Sequence, residues 1–191
     1  MTLPKHLAVL LALTSVASAD PLILRGLDTG RGPAVSGGSA SVSAGGFITA
    51  HLGIAVELRL PADTVGASVG GRWTLVEGKR GWGLDAFAAG GLDIPTLRPG
   101  LALTTTLALF GRVRRNRYQV ALGAVSPSAV RLTGIPEARF PLLLEFWLGI
   151  RAGPVWLALQ ANAGAVLAPS YTPSLWTEVN GVVAVDLGRT R

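Results

Sequence analysis

The 191-residue sequence predicts an all-β fold, an antiparallel up-and-down transmembrane β-barrel of eight strands, and three observations predict it. The chain is too apolar for an ordinary water-soluble domain, yet it contains no helical span. Eight segments repeat their apolar residues with a period of two. The charged residues of those segments fall on the opposite phase.

Hydrophobic residues make up 49% of the chain and charged residues 15%, against about 25% charged in a soluble domain. A transmembrane helix needs roughly 18 or more consecutive apolar residues. The longest runs, Leu101–Phe110 and Val155–Ala168, are shorter and are broken by Thr or by Gln and Asn. Backbone polar groups in lipid must be satisfied internally, which leaves the closed barrel as the other spanning structure. There are no cysteines, so a disulfide framework is excluded. Lysine occurs only at Lys5 and Lys79, so arginine carries nearly all the positive charge.

Residues 1–19 read as a secretory signal peptide. Lys5 supplies the positive start, Leu7–Leu13 the short apolar stretch, and Ala17-Ser18-Ala19 the small-x-small cleavage site. Seven apolar residues cannot cross a bilayer, so cleavage near Ala19 and export are expected. Residues 20–47 form a Gly/Ser-rich lead-in, and residues 48–191 the barrel domain. In the lead-in, Ala40, Val42 and Ala44 keep the phase of the first strand, so the alternatives are an extension of that strand or an extra strand turning at Gly45-Gly46, the latter implying ten strands.

Spanning strands alternate lipid-facing apolar residues with lumen-facing small or polar ones over about ten residues. The eight expected strands are Ile48–Leu60, Val65–Leu75, Trp82–Leu92, Leu101–Val113, Tyr118–Ala124, Phe140–Ile150, Val155–Leu167 and Val179–Leu187. The sixth is the clearest, with Phe140, Leu142, Leu144, Phe146, Leu148 and Ile150 on one phase and Glu145 on the other. Because apolar residues define the phase, the charges test it. Glu57, Arg59, Arg72, Asp85, Arg112, Glu145 and Asp186 all fall on the inward side, as a cost of roughly 2–4 kcal/mol for a charge facing lipid at the midplane requires. Short connections around Gly78–Gly81, Arg114–Arg117 and Arg151–Pro154 alternate with Pro61–Thr64, Asp93–Gly100, Val125–Arg139 and Ala168–Glu178, most of them longer. That asymmetry suits short periplasmic turns and longer extracellular loops, with both termini periplasmic.

With its export signal and eight alternating segments, the chain resembles the small eight-stranded outer-membrane barrels of OmpA/OmpX type over about residues 48–188. The resemblance implies residence in the bacterial outer membrane, with its lipids and the barrel assembly machinery as partners. Barrels of that type usually end in an aromatic residue, whereas this chain ends Leu187-Gly188-Arg189-Thr190-Arg191.

An eight-stranded barrel has an interior that side chains fill, and buried charges need partners. Glu57, Asp85, Glu145 and Asp186 are therefore expected to pair with Arg59, Arg72, Arg112 and Arg151, plugging the lumen together with the inward Phe87, Phe110, Trp147 and Trp156. Gly66-Ala67-Ser68-Val69-Gly70 matches the nucleophile-elbow pattern, but it lies inside a strand instead of a strand-to-helix turn. His51 is the only histidine after residue 19, and no Ser-containing motif is fixed beside it. One histidine and no cysteine argue against zinc. No catalytic residue, cofactor or metal is expected. The basic residues Lys79, Arg80, Arg112, Arg114, Arg115, Arg117, Arg189 and Arg191 collect at the turn end. Nucleic acid would need a basic face on a soluble domain, so anionic headgroups or solvated turns account for them better. The expected role is a non-enzymatic structural, surface or envelope-interaction one. The alternatives are a lipid-modifying enzyme, a narrow pore, or a secreted soluble barrel.

Overall fold

A computed structural model describes residues 32–37, 41–47, 52–59, 64–95, 100–133, 138–168 and 171–187. These residues form an all-β, antiparallel up-and-down sheet. Its strands are β1 (Gly32–Gly37), β2 (Ser41–Phe47), β3 (Leu52–Arg59), β4 (Thr64–Glu77) and β5 (Trp82–Pro95). They continue with β6 (Ala102–Arg115), β7 (Tyr118–Arg131), β8 (Ala138–Ala152), β9 (Val155–Ala168) and β10 (Tyr171–Asp186). Each strand pairs with its sequence neighbours, and β1 also pairs with β10 from Ala34↔Asp186 to Gly37↔Val183. The hydrogen-bonded order thus returns to its start, β1-β10-β9-β8-β7-β6-β5-β4-β3-β2. No helix among the described residues is long and apolar enough to cross a membrane.

All eight expected segments contribute strands, β3 to β10. The expected count of eight is nevertheless exceeded, because the lead-in supplies two more. β2 pairs with β3 so that Val42 faces Leu58 and Ala44 faces Val56, which continues the phase noted for Ala40, Val42 and Ala44. The missing partner is β1, whose GPAVSG composition carries almost no hydrophobic contrast for a period-two signal to show. Residues 48–51, where the first strand was expected to start, lie outside the described residues.

The long connections also shrink. β7 runs on to Arg131 instead of ending at Ala124, and β10 begins at Tyr171 instead of Val179. Proline and serine in these stretches read as loop signals, but the ladder tolerates proline where its missing N–H is not needed. Between β7 and β8 the pairing lapses from Val125↔Leu143 to Ala129↔Arg139. The register on both sides of that gap sets Pro127 opposite Pro141, two residues with no donor to exchange. A similar irregularity between Tyr171 and Ser174 brackets Pro173.

At the opposite end the turns are tight. Asn116-Arg117 joins Arg115 to Tyr118, and Gly153-Pro154 joins Ala152 to Val155. Asn116 and Gly153 take positive φ of 42° and 61° at the first central position, the II′-like geometry that matches strand twist. Tight turns leave no slack, so register carries from strand to strand.

Alternate side chains point to two different environments. Outward positions such as Leu107, Leu142, Leu144, Leu157, Leu175 and Val179 are exposed, and every charged side chain on the outer surface lies at a strand end or in a turn among the described residues. Inward positions hold Phe87, Phe110, Trp147, Trp156 and Trp176, all buried. Barrel diameter grows with strand number, so an interior of ten strands calls for larger side chains than one of eight. Tryptophan, phenylalanine and arginine supply that volume. Glycine makes room where an aromatic lies flat. A Cβ on Gly123 would come within 2.4 Å of the Phe110 ring and 2.3 Å of the Leu109 carbonyl oxygen. Gly123→Val is therefore expected to destabilise the fold by about 1–3 kcal/mol through overpacking. A lower urea midpoint of tryptophan fluorescence measures it.

Candidate functional site: the polar interior

Register stacks the inward residues in layers. One layer runs Gly83, Arg112, Ala121, Trp147, Gln160 and Asn180 across β5 to β10. The next runs Asp85, Phe110, Gly123, Glu145, Asn162 and Glu178. In the second layer Asn162 stands between Glu145 and Glu178, so the two carboxylates are not direct neighbours.

Three groupings result. Near the turn end of β4 to β6, the Asp85 carboxylate accepts from Arg72 Nη2 and from Arg112 Nε, each at 2.6 Å. All three side chains are buried, and Arg112 also lies 3.8 Å from Glu77 at the half-exposed rim. Two guanidinium groups on one carboxylate bind β4, β5 and β6 together. On the other side, Arg151 Nη2 donates to Asp186 Oδ2 at 3.0 Å, and its guanidinium carbon stands 5.6 Å from the centroid of Trp156. This arrangement joins the end of β8 to the end of β10.

The third grouping is a hydrogen-bonded chain across β8, β9 and β10. Both oxygens of Glu145 accept, one from the Trp147 indole N–H at 2.5 Å and the other from the Gln160 amide at 2.7 Å. Gln160 Oε1 accepts from Asn180 at 3.1 Å, and Asn180 donates to Glu178 at 2.9 Å. Asn162 reaches the other oxygen of Glu178 at 3.4 Å. Glu145, Trp147 and Trp156 are 0% exposed.

Of the eight charges expected in the interior, Arg72, Asp85, Arg112, Glu145, Arg151 and Asp186 are buried there. Arg112, also counted among the rim bases, belongs to the interior. The backbones of Glu57 and Arg59 lie in β3 opposite Ser68 and Gly66, but their side chains are outside the described set, as are His51, Arg189 and Arg191. Phe87, Phe110, Trp147 and Trp156 take the inward positions their phase implies. Sequence reasoning missed Asp93, Glu178 and Trp176, all inward, because they sat in stretches read as loops. It passed over Gln119, Thr104 and Thr106, although the period-two phase marks each of them as inward.

Among the described residues, the arrangement holds its charges in hydrogen-bonded pairs. Ser68 is buried within a continuous β4 strand, not on a strand-to-helix elbow. Among the described residues no three His, Cys, Asp or Glu side chains gather as metal donors. No family model, curated protein or solved structure matches the chain.

Proposed function

We propose that this chain is an outer-membrane β-barrel, exported by residues 1–19 and spanning the bilayer with its strands, in a structural or envelope-interaction role without enzymatic activity. Its lumen is filled by the polar and aromatic side chains described above. One observation carries the reading: the two faces of the sheet are inverted relative to a soluble protein. Leucine and valine crowd the exposed face, while arginine, aspartate, glutamate and glutamine are buried. A soluble barrel places apolar residues inside and charged residues outside. An exposed apolar belt of this extent needs a nonpolar solvent to cover it, and hydrocarbon is that solvent.

The test is fractionation of the expressed full chain, followed by electrophoresis with and without boiling. The expected result is an outer-membrane protein lacking residues 1–19 whose unboiled form migrates differently from the boiled form. Recovery as a soluble protein with no heat-dependent shift overturns the reading. Planar-bilayer recordings address the lumen: no conductance is expected, and discrete current steps would replace the filled lumen with a pore.

A further inference from the structure

The turn end of the sheet carries a concentration of charge that the interior does not use. The 3-10 turn Lys79–Gly81 joins β4 to β5 and lies against the end of β6. Arg80 and Gly81 there take positive φ of 70° and 79°, which folds the turn inward. A Cβ on Gly81 would fall 2.2 Å from the Arg114 carbonyl oxygen, so a side chain at that position would keep the two turns apart. The β4–β5 turn thereby sits beside the Asn116-Arg117 turn. Lys79, Arg80, Arg115 and Arg117 are exposed on these two adjoining turns, with Glu77 the one carboxylate beside them among the described residues.

Two aromatic residues fix the depth of this patch. Trp82 and Tyr118 begin the strands that leave the two turns, and both face outward and are exposed. Trp82 packs over Gly78, whose N–H donates to the Trp82 carbonyl oxygen at 2.9 Å. Amphipathic aromatic rings settle at the level where hydrocarbon meets headgroups. Cations one turn beyond them lie at phosphate depth. At the far end of the sheet, the charges among the described side chains are Arg131, Arg139 and the buried Asp93.

We propose that these two turns form a docking surface for the phosphate of an anionic membrane lipid, gripped by Lys79, Arg80, Arg115 and Arg117 and flanked by Trp82 and Tyr118. The inference rests on the membrane-spanning reading above and deepens it by naming the class of ligand that one rim holds. Charge complementarity selects the ligand, and the aromatic pair selects a lipid over a free anion. Arginine forks bind phosphate oxygens in pairs, and basic residues at a membrane surface each strengthen attraction to anionic lipid.

Electron spin resonance with spin-labelled lipids tests it on the full chain in phosphatidylcholine vesicles at low salt. Labelled phosphatidylglycerol is expected to associate about fivefold more strongly than labelled phosphatidylcholine. The variant K79Q/R80Q/R115Q/R117Q is expected to lose that preference, whereas R131Q/R139Q at the far rim keeps it. High salt should weaken it, as screening requires. A wild-type protein without headgroup preference, or a quadruple variant that retains it, overturns the docking surface. If neither labelled lipid is immobilised at all, the membrane-spanning reading fails instead. Free inorganic phosphate that competes as well as lipid would overturn the choice of a membrane ligand.

Discussion

Asp85→Asn is expected to destabilise the protein by about 3–5 kcal/mol, the typical cost of leaving a buried ion pair with one partner missing. Arg72 and Arg112 share the Asp85 carboxylate, each 2.6 Å away. Both arginines donate to the same oxygen, Oδ2, so asparagine keeps an acceptor there but removes the negative charge that faces two buried guanidinium groups. Equilibrium unfolding by urea in lipid vesicles, followed by tryptophan fluorescence, measures the loss. A companion variant separates charge from shape. R72M/D85L/R112M removes all three charges and keeps apolar bulk, and it should recover most of the lost stability, since well-packed hydrophobic replacements of buried ion networks are often neutral. If D85N unfolds at the wild-type midpoint, the paired charges do not hold β4, β5 and β6 together.

Leu107→Arg and Leu144→Arg are expected to cost about 2–4 kcal/mol each in vesicles. Both residues point outward near the middle of their strands and are among the most exposed, at 65% and 64%. The same substitutions discriminate between solvents. On a water-facing surface such changes fall within about 0.5 kcal/mol of neutral, because arginine at an exposed strand position breaks no contact. In hydrocarbon the guanidinium loses its hydration. Refolding yield into vesicles and the urea midpoint are the measurements. Variants as stable as wild type would place water, not lipid, against the outer face.

These two expectations draw on different levels of the molecule. That Leu107 and Leu144 face one way and Asp85 the other follows from period two alone, since successive residues of a strand point to opposite sides. Gln160, Asn162 and Asn180 were legible as inward for the same reason. That Arg72 and Arg112 share one carboxylate was not legible. Arg112 lies 27 residues from Asp85 in sequence, and only the register Asp85↔Phe110 with Gly83↔Arg112 brings its guanidinium down beside the carboxylate. The Glu145 chain was hidden likewise, because Trp147 carries its N–H to a residue two positions back along the same face, a contact a strand pattern cannot rank. Trp176 and Glu178 were lost by reading Pro173 and Ser174 as loop residues, although β10 already runs through both.

The sequence by itself determined which face of each strand is apolar and that the charges gather on the other. It also determined that short connections lie around Gly78–Gly81, Arg114–Arg117 and Arg151–Pro154. Those are local properties, set by alternation and by residues that accept positive φ. The tertiary structure alone decided the strand number and the pairing of the charges. β1 and β2 are built mostly of glycine, serine and alanine, so their place depends on hydrogen bonds to β3 and β10 instead of on hydrophobic contrast. The β1–β10 contact joins residues about 150 positions apart, a separation at which no local pattern constrains the partner.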